Sequence, residues 1–365
     1  MLLQTDSGAL YAAGRLLYIW QDSLLAQPFD PGSGKLTGSP ETIARQVVYD
    51  NDRWIGGFAA SESGPLLYVG GNSFGASQLT WVDRAGKEQG RVGEAGDYFW
   101  PVISPDAQRA AVSDSSGRNL EVWVIDFTRG TKTRLTFDDA IKAFPTWSPD
   151  GLRIAYTVAQ PAQPSAIYVK NASGIGEAEK LIEGPINSTL STMDWSPDNR
   201  ALIYAVNTGA KGNRLWVYWF NEKKSTKLLP EDFKEWNAKF SPDGKWLAYR
   251  SRESGQDEVY VVPFPKVDGK WQVSTAGGDY PRWNRNGQEI FYLAPNGMLM
   301  SVAINTTGGF KPGLPQPMFV TTLKSLAGTQ YDVAPDGKFL LNRRLTGGTA
   351  EPITVVTNWT AELKK

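Results

Sequence analysis

Gly71-Asn72-Ser73-Phe74-Gly75 has the G-x-S-x-G spacing that presents a nucleophilic serine on a strand-to-helix turn. Such a serine needs a histidine base, and the chain has no histidine. Gln78-Leu79-Thr80-Trp81, just downstream, reads as a strand, so the match is assigned to a hairpin loop. Gly174-Ile175-Gly176 lacks the third glycine and following helix of a phosphate loop and reads as a turn. Asp138-Asp139 and Glu231-Asp232 gather carboxylates without the spacing of a calcium loop. With no histidine and no cysteine, triads, histidine metal centres, thiolate sites and disulfides are excluded. No catalytic residue, metal ligand or cofactor is therefore assigned. The chain is expected to bind rather than to catalyse.

Charge narrows the partners. Lys and Arg number 38 and Asp and Glu also 38, with no basic tract, so nucleic acid is not an expected partner. No run approaches the roughly 18 apolar residues of a membrane span, and no basic stretch precedes the apolar residues of the N-terminus. A monomer that does not insert into a membrane is expected, with its compartment left open.

The elements that must position any binding residues come from a repeat. Ser-Pro-Asp recurs at Ser104, Ser148, Ser196 and Ser241, at steps of about 43–48 residues. Drifted copies follow at Asn284-Arg285-Asn286-Gly287 and Ala334-Pro335-Asp336-Gly337. In each turn Pro presets φ, Asp bonds backbone two residues on, and Gly takes the geometry that follows. Short strands flank the turn, as in Ala238–Phe240, Lys245–Tyr249, Glu258–Val262 and Trp271–Ser274. Four strands per period is one blade of a β-propeller. The tryptophans recur largely at equivalent points and are expected to pack blade against blade.

Two less regular units precede the first Ser-Pro-Asp: Arg15–Trp20 with Ser23–Pro28, and Gly57–Ser61, Pro65–Val69 and Gln78–Val82. The expected fold is thus all-β, one propeller domain over residues 1–365 with eight four-stranded blades, or seven if the first two merge. The last unit offers three strands, Gln330–Val333, Lys338–Asn342 and Ile353–Trp359, so Met1–Thr5 is expected to close it.

The innermost strand of a blade is the one before the turn, and the residues opening it surround one mouth of the channel. Trp100, Phe144, Trp236, Tyr280, Arg282 and Tyr331 are the candidate ligand- or partner-binding residues there, with Tyr98, Met193, Asn237 and Gln330 beside them. Aromatic and Arg side chains are the usual anchors of a peptide or protein contact. Loops Ser251–Asp257 and Asn207–Asn213 are expected to flank this mouth.

The turn motif resembles the WD40-like repeat called PD40, found in the propeller of the Tol-system protein TolB. Asp257–Pro265, Gly269–Ser274, Leu25–Asp30 and the ending Asn358–Lys365 resemble the C-terminal propeller of bacterial Ser/Thr protein kinases of the acidobacterial type. No kinase domain is present in this chain. The resemblance implies a sensor or interaction propeller that takes a protein, peptide or small ligand at its channel mouth. An envelope scaffold of TolB type, and a histidine-free propeller lyase or hydrolase, are the alternatives. An extracytoplasmic location is implied if either resemblance holds.

Overall fold

The repeat turn folds the same way at each occurrence. The hydroxyls of Ser148, Ser196 and Ser241 donate to the Asp two residues on, at 2.5, 2.7 and 2.6 Å. Each hydroxyl also accepts the amide five residues on, at 2.9, 2.8 and 3.0 Å. The fourth residue of all six turns is left-handed: Ala107, Gly151, Asn199, Gly244, Gly287 and Gly337 have φ of 56, 69, 61, 69, 72 and 80°. Its amide closes the turn onto the first residue's carbonyl in every case. The Ser148 hydroxyl holds the Asp150 carboxyl below the usual carboxylate range.

The computed structural model describes residues 5, 7–20, 23–45, 47–50, 55–62, 64–70, 77–116, 119–160, 163–209, 212–230, 233–323, 328–345, 353–361 and 363. Strands dominate, with almost no helix. Two compact units emerge, Met1–Ala76 with Leu345–Lys365, and Ser77–Arg344, where one domain over residues 1–365 is expected from sequence.

Within Ser77–Arg344, six antiparallel sheets follow one another as blades. Blade 1 runs Tyr98–Ile103, Arg109–Asp114, Glu121–Asp126 and Lys132–Arg134 from inside to outside. Blade 2 is built from Ile141–Trp147, Arg153–Ala159, Ala166–Asn171 and Glu179–Glu183, and blade 3 from Thr189–Trp195, Ala201–Asn207, Asn213–Trp219 and Lys224–Lys227. Blade 4 contains Glu235–Phe240, Trp246–Ser251, Glu258–Pro263 and Trp271–Gln272. Blade 5 contains Asp279–Trp283, Glu289–Leu293, Met298–Asn305 and Gln316–Val320, with Lys311–Pro312 as a short extra edge. Blade 6 joins the two ends of this unit: Tyr331–Val333 and Phe339–Arg344 inside, Ser77–Val82 and Glu88–Gly96 outside. The six innermost strands touch in succession, the last returning to the first.

This closure corrects the expected blade count and the expected clasp. Ser77–Val82 pairs with Phe339–Arg344 in unbroken register, from Ser77 opposite Arg344 to Val82 opposite Phe339. That pairing covers the edge that Met1–Thr5 is expected to cover; Met1–Gln4 lie outside the described residues. Gln78–Val82 therefore belongs to the last blade of a ring of six rather than to a second unit of a ring of eight. Ile353–Val356, expected in the last blade, pairs instead with Leu66–Val69.

Blade-to-blade packing uses the residue just before each turn. Trp147, Trp195 and Trp283 are buried at this equivalent point. The indoles of Trp147 and Trp283 donate to the Val102 and Lys239 carbonyls of the preceding blade, at 3.0 and 3.1 Å. Arg109 and Arg153 of the preceding blade lie over the rings of Trp147 and Trp195.

The other unit is built from two main sheets. Leu10–Ala12, Arg15–Trp20, Ser23–Asp30 and Glu41–Arg45 form an antiparallel sheet in which Lys35–Leu36 also pairs with Ser23–Asp30. Phe58–Ala60, Leu66–Val69 and Ile353–Val356 form a second sheet. Leu17, Ile19, Leu24, Ala26, Leu66 and Trp359 share its core.

Candidate functional site

The innermost strands of the ring carry a bulge at one repeated position. Pairing with the second strand skips between Phe99 and Val102, Ala143 and Thr146, Trp236 and Lys239, and Asp279 and Arg282. The residue four before the turn is left-handed in each: Trp100, Phe144, Asn237 and Tyr280 have φ of 48, 54, 54 and 56°. For a bulky residue this conformation is a genuine outlier, and bulges of this kind re-aim side chains beside functional sites. Strain repeated at one level of four strands marks that level as a candidate site.

The six residues expected at the mouth divide into two groups. Trp100, Phe144 and Trp236 are half-buried and touch one another. The Trp100 and Phe144 rings lie 4.1 Å apart, and Phe144 meets Trp236 edge-on at 5.9 Å. Phe144 and Trp236 belong to blades 2 and 4, so the contact joins two blades that are not neighbours in the ring. Phe99 extends the patch, 5.5 Å from Trp100. Tyr280, Arg282 and Tyr331, by contrast, are buried. The Tyr331 hydroxyl donates to the Tyr280 carbonyl at 2.7 Å, and burial raises its pKa. Arg282 Nε pairs with Asp332 Oδ1 at 3.1 Å, and the guanidinium stands over the Tyr331 ring.

Two before each turn lies a second repeated position, occupied by Val102, Thr146, Asp194, Lys239, Arg282 and Asp332. Its charges form two ion pairs, Lys239 with Asp194 at 3.4 Å and Arg282 with Asp332 at 3.1 Å. Each aspartate also accepts an amide from another inner strand: Phe240 N reaches Asp194 at 2.8 Å and Ile103 N reaches Asp332 at 2.7 Å. Burial holds the Lys239 ammonium below the usual lysine range, against the pull of Asp194. Sequence reasoning passes over Asp194, Lys239 and Asp332, although aligning the turns puts them in one column with Arg282.

At the mouth of blade 5, Asp279 Oδ1 accepts from Asn237 Nδ2 and from the Tyr280 amide, both at 2.6 Å. Burial raises its pKa despite Arg250. The loop after Ser251 does flank this region: Arg252, Gln256 and Asp257 line a cavity of about 320 Å³ with Asp279 and Tyr280. Of the other motifs, Asp138 is drawn into an ion pair with the buried Lys142. Gly71–Gly75 and Glu231-Asp232 lie outside the described residues.

No family model matches the chain. Among curated proteins it is 27% identical over 197 residues to the "Uncharacterized peptidase YuxL" of Bacillus subtilis (strain 168), covering 48% of this chain and 29% of that protein. It is 23% identical over 201 residues to the Tol-Pal system protein TolB of Francisella tularensis subsp. holarctica (strain OSU18), covering 54% of this chain and 45% of that protein. The match thus spans less than half the length of either relative. Among solved structures, a putative TolB from Agrobacterium tumefaciens superposes with a TM-score of 0.59 at 17% identity, over 74% of this chain and 98% of that one. TolB from Acinetobacter baumannii gives a TM-score of 0.50 at 16% identity, over 83% of this chain and 79% of that one. The fold is that of TolB-type β-propellers. The expectation that the chain is not an enzyme is corrected by the peptidase relative: lacking histidine removes particular mechanisms, not every catalytic role.

Proposed function

We propose that the six-bladed ring binds a peptide segment of a partner protein at its mouth, with Trp100, Phe144 and Trp236 as the contact surface. The observation that carries this reading is their continuous half-buried patch, drawn from three blades and aimed by left-handed bulges. Aromatic side chains held in place give large contact area at little entropic cost. The Tol-Pal name of the TolB relatives favours a protein-binding scaffold. A kinase-linked sensor is a narrower form of the same reading, supported by the strings Asp257–Pro265 and Gly269–Ser274. Tyr280, Arg282 and Tyr331 are buried and act beneath this surface as positioning residues.

The test is a photo-crosslinking residue placed at Phe144 in the host cell, with mass spectrometry of the adducts. A partner peptide joined at Phe144, and not at a control position on the turn face such as Lys245, is the expected result. Equal labelling at both positions would reject the mouth as the contact. A second reading rests on the peptidase relative: the ring would receive a peptide on its way to a hydrolytic site. Hydrolysis of a peptide library by the purified protein would favour that reading over the scaffold.

A further inference from the structure

We propose that the seam between blades 6 and 1 is a socket, on the turn face, for a tryptophan side chain of a partner protein. This site goes beyond the aromatic mouth at the other end of the inner strands and does not rest on it. A cavity of about 340 Å³ opens there, lined by Trp81, Ala107, Ala334, Pro335 and Lys338, among others. Pockets of this size hold small ligand groups.

The other seams show what fills this place. The residue before the turn is Trp147, Trp195, Phe240 and Trp283 in blades 2 to 5, buried in each. In blade 6 it is Val333, and the rings of Phe291, Phe319 and Phe339 pack the same seam. In blade 1 it is Ile103, buried against Leu79, Ala334 and Leu340 of blade 6. An isoleucine leaves much of an indole's space unfilled.

Blade 6 departs from the repeat at the same seam. Its turn begins with Ala334 where four others begin with serine, which takes a hydroxyl off the cavity wall. The turn is also one residue tighter: Ala334 N donates to the Lys338 carbonyl, whereas Ser104 N and Ser148 N donate to those of Arg109 and Arg153. Lys338 thus stands where Arg109 and Arg153 stand, and those two lie over Trp147 and Trp195. Lys338 pairs with Asp336 at 2.8 Å, just as Arg109 pairs with Asp106 at 3.0 Å. Trp81 does not supply the absent ring, because it meets Phe127 of blade 1 edge-on at 5.1 Å. This seam keeps the cation of a cation–π pair and lacks the aromatic group. An indole would restore both the volume and the pairing. Ala107, Ala334 and Pro335 give it an apolar floor. Gln89, also on the wall, donates its Nε2 to Asp83 at 2.9 Å, so its Oε1 is the acceptor for the indole N–H. The rim residues Gln89, Pro335 and Asp336 are exposed, which suits a ring carried on a partner's surface.

The experiment is a chemical-shift titration of the ¹⁵N-labelled full chain with N-acetyl-tryptophan amide, N-acetyl-leucine amide and free tryptophan. The tryptophan amide should shift the Ala107 and Gly337 amides and the Trp81 indole N–H. The leucine amide should bind about threefold more weakly or worse. Ile103→Trp, which supplies the chain's own indole, should abolish the response. If that variant melts early, Lys338 decides: Lys338→Ala should weaken the tryptophan amide about threefold, and Lys338→Arg should restore it. Reporters at the seam keep this outcome separate from the mouth, whose failure as a contact would not register here. Equal binding of the leucine and tryptophan amides, or no shift at the seam, would overturn the proposal. So would shifts confined to the amides around Trp100, Phe144 and Trp236, or full affinity in a folded Ile103→Trp or Lys338→Ala protein. Tighter binding of free tryptophan than of its blocked amide would reject a partner's side chain as the occupant.

Discussion

The two sides of the ring mouth use the opening of the inner strand to opposite ends. On blades 1, 2 and 4, Trp100, Phe144 and Trp236 keep part of their rings in solvent and lean on one another. On blades 5 and 6, Tyr280, Arg282 and Tyr331 are buried and tied by the Tyr331–Tyr280 hydrogen bond and the Arg282–Asp332 ion pair. What differs is the supply of polar partners. Where a neighbouring strand offers a carbonyl or a carboxylate, the side chain turns inward and becomes structure. On blades 1, 2 and 4 the rings meet one another instead and stay half-buried.

The sharpest way to break this comparison is Arg282→Ala. Asp332 would be left buried and unpaired beside the Ile103 amide it accepts, and such losses cost about 3–5 kcal/mol. Urea unfolding should register that cost; a variant as stable as the parent would move Arg282 to the ligand-binding side. Tyr331→Phe removes one buried donor and strands the Tyr280 carbonyl, for an expected loss of about 1–2 kcal/mol. Trp100→Ala should lower stability by only about 1 kcal/mol, since part of the ring is already exposed, while abolishing crosslinking from position 144. A loss as large as that of Arg282→Ala would erase the distinction between the two sides.

The remaining tests sharpen it. Ala107 is left-handed where four of the six turns have Gly, so Ala107→Gly should stabilise the protein by about 0.5–1 kcal/mol, read from the thermal midpoint. Asp279 gives the smallest effect, measurable as a slope. Its folded pKa is raised, so the folded state holds that proton more tightly than the unfolded chain. Stability relative to Asp279→Asn should therefore fall as pH rises through the carboxylate range. Asp150, whose pKa the Ser148 hydroxyl lowers, should act with the opposite sign: its contribution is present above the unfolded carboxylate pKa and fades as pH falls. Parallel slopes for Asp279→Asn and Asp150→Asn would contradict the pairing described for one of them.

Much of the ring was legible because its information is local. The serine that bonds the aspartate two residues on, and the left-handed fourth residue, lie within one turn. Strand alternation around that turn then sets which residues open each inner strand, and so places Trp100, Phe144 and Tyr280 there. Their division into exposed and buried was not legible, because it depends on bonds such as Tyr331 to Tyr280, which are 51 residues apart. Nor was the role of Asp194 and Asp332, whose carboxylates cap amides of other blades. Single aspartates in a strand look alike until the neighbouring strand is in place.

The sequence by itself determined the blade: its turn, its strand pattern, the aromatic before four of the six turns, and the absence of histidine chemistry. Only the tertiary structure decided how many blades close and where. Ser77–Val82 is as good a strand as any nearby, and nothing in its own residues selects Phe339–Arg344 as partner. That choice is made by burying two open sheet edges at once, a free energy that exists only when both ends of the ring meet.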